Sequence, residues 1–531
     1  MTGKCTNIGN CDKADRKELI TVADGLDLVC PDCGKPLMVT GSGGGGGGSN
    51  IGKIAAAAVG VLALVVWFLW PTAEKTTLPQ PPQPPVKPIT TSPPPPPPSQ
   101  VRNIILRIHG SNTIGSKLVP ELAKAFLEEK GANRVEQIAG EKEQESFIQG
   151  DLNGDTVPEA IEVHAHGSKT AFEDLRAGFC DIGMSSRKIK EEEVRDLLPL
   201  VGDLTSNASE HTVALDGLAV IVHPSSPVSA LTVEQVAAIF AGDVTDWSQA
   251  GGVPAPIILY TRDDKSGTFE FFKNNVLEKY KRTLSSAARR YEDSGELSGG
   301  VAGDVNGIGF IGMPYIKTNK ALSLSDRGTQ PLRPNERTVK TEDYPLTRRL
   351  YLYTPASPKN HYTSEFIAFA TNHTPGSKAQ AVVNNVAFVN LDPTPLAQTT
   401  LDSADPRNAS ADWRRMTGGA SEILTRFRFR SGSSILDTRA YRDIGRITEV
   451  LSRPEYKDAR LLLIGFADNR GTLAANKALS LERAKVVEQE LRAEGLRIDK
   501  VAGLGQDAAI ASNEDLEGRE KNRRVEIWVK R

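Results

Sequence analysis

Seventeen consecutive residues at positions 54–70 carry no charge and no strongly polar side chain, and their flanks decide how the rest of the chain can be organised. Six glycines (43–48) lie on one side and a proline-dominated stretch ending in six prolines (93–98) on the other. Seventeen residues is near the lower limit for an apolar helix crossing a bilayer. Ile51 and Gly52 extend the run across Lys53, whose stem lets its ammonium reach the interface, and Trp67 and Trp70 suit the opposite interface. A core helix would not sit between a flexible tether and a stiff spacer, and a cleaved signal would start at residue 1. The expectation is a tether over 41–53, one transmembrane helix over 54–70, and a polyproline spacer over 71–102 rising ~3.1 Å per residue.

Four of the five cysteines fall in the first 33 residues, as Cys5-x5-Cys11 and Cys30-x2-Cys33 around the strand-like stretch from Leu19. Two thiolate pairs at this spacing can close a tetrahedral Zn²⁺ site, with two disulfides or a redox pair as the alternative. About 40 residues cannot bury enough surface to fold unaided, so the metal would supply the stability. Residues 1–40 resemble a zinc ribbon with Cys5, Cys11, Cys30 and Cys33 as ligands. Reduced thiols belong in a cytoplasm, and six Lys/Arg precede the apolar run. The N-terminus is therefore expected inside a bacterial inner membrane, with the bulk of the chain in the periplasm. The formal charge of -2 leaves no basic excess for a nucleic-acid partner.

From residue 103 strands alternate with helices, and the strand ends repeat one chemistry. Ile104 to Ile108 run into Gly110-Ser111-Asn112-Thr113, and Ile161 to His166 into Gly167-Ser168. Asp181-Ile182-Gly183-Met184-Ser185-Ser186-Arg187 follows, and then Arg262-Asp263-Asp264-Lys265-Ser266-Gly267-Thr268. One such loop is more often a helix cap than a ligand site, but four could offer hydroxyls, amides and a guanidinium to one oxyanion. Their order resembles the phosphate-binding proteins of bacterial ABC importers over residues 103–397. That resemblance implies a two-lobed type II periplasmic-binding clamshell and a possible ABC permease partner. The implied contacts are Ser111, Thr113, Ser168, Ser185, Ser186, Ser266, Gly267 and Thr268, with Arg262 as the charged clamp. Phosphate-specific members commonly carry Asp where this chain has Ser186, which puts rejection of sulfate in doubt. His164 and His166 share a strand face but have no evident third ligand in the sequence, and no nucleophile–base arrangement suggests an enzyme.

Near the C-terminus, Leu461-Leu462-Leu463-Ile464-Gly465 reads as a buried strand leading to Asp468-Asn469-Arg470-Gly471. A helix follows with Ala484, Val487 and Leu491 on its apolar face, and then Gly518-Arg519-Glu520-Lys521-Asn522-Arg523-Arg524-Val525. This set resembles the OmpA-like C-terminal domain family over residues 421–531, implying a βαβαβ sandwich that grips the diaminopimelate of peptidoglycan stems. Asp468 would receive the ammonium and Arg483, 15 positions later, the carboxylate, with Asn476 and Arg523 in support. The fold class expected is multidomain α/β and α+β, with a linker at 398–420. The function expected is capture or sensing of phosphate or a similar oxyanion by a membrane- and wall-attached protein. The alternative is a structural anchor whose clamshell holds no ligand.

Overall fold

In the computed structural model the chain forms two compact units, residues 1–99 and 100–531. The structure describes residues 2–5, 19–21, 37–39 and 102–531, with breaks at 155–156, 327–328, 330, 398–406, 408–409, 430–431, 437 and 515. In the first unit Thr2–Cys5 pairs antiparallel with both Leu19–Thr21 and Leu37–Val39, and Leu37 is buried. Cys5 ends the central strand, whereas Cys11, Cys30 and Cys33 lie outside the described residues. So do the expected tether and membrane span and nearly all of the spacer; among the described residues no helix is long and apolar enough to cross a membrane.

In the second unit ten strands give an eleven-stranded sheet its main order. They are β1 (Asn103–Gly110), β2 (Asn133–Ala139), β3 (Glu145–Asp151), β4 (Glu159–His164), β5 (Ile182–Ser185), β6 (Glu210–Val222), β7 (Ile258–Arg262), β8 (Arg289–Tyr291), β9 (Gly307–Gly312) and β10 (Thr347–Tyr353). Their order across the sheet is β8-β7-β9-β6-β10-β5-β1-β4-β3-β2, with Lys320–Ala321 pairing beside it on β6. The first lobe holds β1 to β5 and the second β7 to β9. β6 joins them: its end pairs with β9, while the rest pairs with β10, which continues onto β5. Strand alternation explains how one strand serves two cores. Leu218, Val220 and Val222 enter one core, and Ala219 and Ile221 the other, which holds first-lobe residues together with Leu297 and Val301 of the second lobe.

Helix α1 (Leu118–Glu129) buries Leu118, Leu122 and Phe126, spaced four apart on one helical face. Helix α2 (Ser168–Ala177) stops at Gly178 in the left-handed region. Helix α3 (Gly267–Phe272) widens into a π turn at Lys273–Leu277, where Asn275 donates its side-chain amide to the Phe271 carbonyl.

The C-terminal region builds a second sheet from Leu396–Ala397, β11 (Ser421–Arg428), β12 (Arg460–Gly465), β13 (Ile498–Gly503) and β14 (Arg524–Lys530), in the order Leu396–Ala397, β11, β14, β12, β13. Leu461 and Leu463 point to a core shared with Ala484, Val487 and Leu491 of α4 (Leu473–Ala493). Leu462 and Ile464 point the other way, onto Trp413 and Trp528. The stretch expected as a linker therefore carries a short helix, Ala411–Thr417, whose Trp413 is fully buried against the C-terminal sheet.

Candidate functional site

The strand-end loops of the clamshell meet where its two lobes face each other. β1 ends at Gly110 with φ 136°, and a Cβ there would stand 2.2 Å from the Met184 carbonyl oxygen. Only glycine lets β1 turn so close to β5, bringing the Ser111 amide within 2.8 Å of the same oxygen. Ser111, Thr113, Ser168, Ser185, Ser186, Ser266 and Thr268 are all nearly fully buried. Across the lobes the Thr113 and Thr268 hydroxyls lie 2.8 Å apart. Within the first lobe the Ser168 and Ser186 hydroxyls are 3.3 Å apart, and the Ser186 amide donates to Ser168 at 3.0 Å. Gly267 closes the junction: a Cβ there would come 2.1 Å from the Ser168 hydroxyl oxygen and 2.8 Å from that of Ser186. Two serines are committed locally. Ser266 caps α3 by accepting from the amides of Thr268 and Phe269, and Ser185 donates to the Arg187 carbonyl.

The guanidinium beside these hydroxyls is Arg348. It binds Asp216 through Nε (3.0 Å) and Nη2 (2.7 Å), and donates from Nη1 to the Thr268 hydroxyl at 2.8 Å. Asp216 sits on β6 and Arg348 directly opposite on β10, so the pair belongs to the strands joining the lobes. Burial pushes the Asp216 carboxyl up, and the Arg348 guanidinium pulls it part of the way back. Arg262, the expected clamp, is buried and donates to the Tyr291 and Glu292 carbonyls and to Ser294 at 2.6 Å. Burial pushes its guanidinium down to about 10. Asn112 completes the contact by accepting from the Ser294 amide and hydroxyl.

In the C-terminal region Asp468 follows the end of β12 and is buried. Its Oδ2 accepts from Arg523 at 2.8 Å and its Oδ1 from the Arg470 amide at 3.0 Å. Arg483, on α4, donates to the Ser433 carbonyl at 2.9 Å and stands over the Phe429 ring. Burial pushes its guanidinium down to about 10; Arg523 adds to that and Asp468 opposes it. Asn476 donates to the Asp468 carbonyl and to Gln506, tying the Asp468 loop to α4. The structure thus gathers Asp468, Asn476, Arg483 and Arg523, with Asp468 bonded directly to Arg523.

Sequence reading missed Arg348 and Asp216, though both left a trace. Asp216 is a lone charge inside the run Val213 to Val222, and Arg348 alternates in register with Leu350 and Leu352, the inward positions of β10. A charge at an inward strand position needs a partner.

A family model described as a PBP superfamily domain matches residues 101–374, and one for the OmpA family matches residues 428–523. The phosphate-binding protein PstS of Pseudomonas aeruginosa is 29% identical over 231 residues, spanning 40% of this chain and 70% of that protein. The peptidoglycan-binding protein ArfA of Mycobacterium bovis is 33% identical over 180 residues, spanning 33% of this chain and 50% of its own length. The crystal structure of an ABC-type phosphate transport receptor from Vibrio cholerae aligns with 54% of this chain and 99% of its own, at 22% identity and a TM-score of 0.40. With the first model covering more than half of its residues, the chain belongs to the PBP superfamily and carries an OmpA family region behind that domain.

Proposed function

We propose that this protein captures phosphate or a related oxyanion between its lobes while its C-terminal region holds peptidoglycan. The observation that carries the first half is the convergence of buried Ser111, Thr113, Ser168, Ser186 and Thr268 beside the Arg348 guanidinium. Hydroxyls rotate at little cost, so groups that bond one another in the closed clamshell can turn to donate to an anion. Ser186 accepts as readily as it donates, which fits an oxyanion receptor of modest selectivity. The named relatives are binding proteins, and the reading is of a receptor rather than an enzyme. In the C-terminal region, Asp468 and Arg523 would exchange their mutual bond for the ammonium and carboxylate of a diaminopimelate side chain, with Arg483 close by.

The same proposal includes a single membrane span over 54–70, Zn²⁺ held by Cys5, Cys11, Cys30 and Cys33, and a periplasmic location for the bulk of the chain. Four thiolates make a donor set suited to tetrahedral zinc, and the metal would supply folding energy to the ribbon. A permease partner belongs to the same reading.

Calorimetric titration of the full chain, stripped of bound ligand, with phosphate and then sulfate tests the first half. Saturable binding of phosphate that weakens at least tenfold in Thr268→Val is the expected result. Absence of heat with both anions leaves a ligand-free interaction module. Cosedimentation with purified sacculi, lost in Asp468→Asn, tests the second half.

A further inference from the structure

Behind the first-lobe loops lies a cluster that the oxyanion reading does not use. β1 and β4 pair so that His109 lies opposite His164, with their rings stacked at 4.1 Å. β3 pairs on the far side of β4 and sets Glu145 opposite His164. The His109 Nε2 is 3.1 Å from Glu162 Oε1, and the His164 Nε2 is 3.9 Å from both Glu162 Oε1 and Glu145 Oε2. Ligand atoms of His109, Glu162 and His164 all fall within 4.8 Å of one another. Two imidazoles and two carboxylates therefore converge from three adjacent strands.

We propose that His109, Glu162 and His164, with Glu145 as a fourth ligand, form a site for a divalent transition-metal ion such as Zn²⁺. Metal–ligand bonds near 2.0–2.2 Å in a tetrahedral site place donor atoms about 3.3 Å apart, against the 3.1 and 3.9 Å present. Imidazole with carboxylate favours zinc and its neighbours over magnesium or calcium, which prefer oxygen throughout. The supporting bonds are already made. Asp174 holds the His109 Nδ1 at 2.8 Å, which leaves Nε2 directed at the site, and His166 holds Glu145 Oε1 at 3.1 Å. Arg107 (3.6 Å from Glu162) and Lys142 (3.8 Å from Glu145) are the nearby cations; both are exposed enough to swing into solvent. The two imidazole planes, 16° apart, must open for one ion to lie in both. His109 is fixed by Asp174, so the ring that turns is His164, whose side chain is 25% exposed.

The test uses the full chain with Cys5, Cys11, Cys30 and Cys33 changed to Ser, so that those thiolates contribute nothing. Calorimetry should register one Zn²⁺ per chain, and Co²⁺ should give weak visible bands without thiolate charge transfer. His164→Ala should weaken Zn²⁺ by about 100-fold and Glu162→Gln by at least tenfold, magnitudes typical of lost ligands and their supports. Metal-free thermal unfolding of the His164→Ala variant should match that of its parent. In the chain with its cysteines intact, His164→Ala should still remove one equivalent of Zn²⁺. Failure of the four-serine chain to bind Zn²⁺ at micromolar concentration, or binding undiminished in a folded His164→Ala variant, overturns the site.

Discussion

Two junctions in this molecule are built from different chemistry. Where the lobes meet, the buried contacts are neutral: Thr113 with Thr268, Asn112 with Ser294, and the Tyr315 hydroxyl on the Thr113 carbonyl at 2.9 Å, while the ionic contacts Lys190–Glu270 (2.9 Å) and His166–Glu292 (3.1 Å) lie at the partly exposed rim. Where the clamshell meets the C-terminal region, the contacts are buried ions. Glu422 of β11 receives Arg337 from the clamshell as well as Arg407 (2.7 Å) and Arg426 (2.6 Å) from its own side. Arg426 also reaches Asp343 at 3.4 Å, and Arg428 donates to the Thr341 and Glu342 carbonyls. Neutral hydrogen bonds are worth about 1 kcal/mol each and are readily exchanged for water or ligand, whereas stranding one member of a buried ion cluster costs about 3–5 kcal/mol. The lesson is that parting the buried contacts between the lobes costs less per contact than breaking the seam with the C-terminal region.

The strongest way to break that contrast is Glu422→Gln, which leaves Arg337, Arg407 and Arg426 without their shared carboxylate. We expect a loss of about 3–5 kcal/mol in denaturant unfolding, followed by the fluorescence of Trp413 and Trp528 on the same side of the sheet. A loss below about 1 kcal/mol would erase the distinction between the junctions. Gly267→Ala acts on the other one. Its φ is not in the left-handed region, so the added methyl opposes only the close approach to Ser168 and Ser186. An overpacking cost of about 1–3 kcal/mol would weaken phosphate binding by roughly 5- to 150-fold, with the melting temperature nearly unchanged.

Acidity sharpens the comparison at a third position. His373 lies at the ionic seam, 3.1 Å from Arg446. Burial, reinforced by the Arg446 charge, pushes its imidazole down to about 4. A group depressed on folding contributes stability above its ordinary value near 6.5, and that contribution fades as pH falls towards 4. Lowering pH from 7 to 5 should cost roughly 1–2 kcal/mol, and the part owed to this residue should vanish in His373→Gln. The smallest effect is expected for Thr113→Val. Loss of one cross-lobe hydroxyl bond should change stability by about 1 kcal/mol and phosphate affinity by less than tenfold.

The sequence made some of this legible and hid the rest for reasons of distance along the chain. The apolar run Leu461 to Ile464 and the helical spacing of Ala484, Val487 and Leu491 are local patterns, and the C-terminal region has the buried strand and helix face as read. The Ser/Thr loops were visible because each is continuous in sequence. Arg348 was not, since its partner Asp216 lies 132 residues away. The same blindness applied to His164: strand pairing sets His109 beside it, which no spacing along one strand reveals. The family resemblance implies that Asp468 and Arg483 hold the two ends of one ligand; the structure brings both to one neighbourhood and bonds the Asp468 carboxylate to Arg523. Spacing brings side chains to one neighbourhood; rotamers and rival partners decide which of them touch.

The course of β6 and β10 through both lobes has a mechanical consequence. The C-terminal region grips the clamshell at Thr341, Glu342, Asp343 and Pro345, just ahead of β10 at Thr347, and again at His373 and Pro375. A force entering there meets the clamshell close to the strands about which the lobes would swing, so its lever arm is short and its torque on the cleft small. A pull on the C-terminal region would then do little to pry the jaws apart.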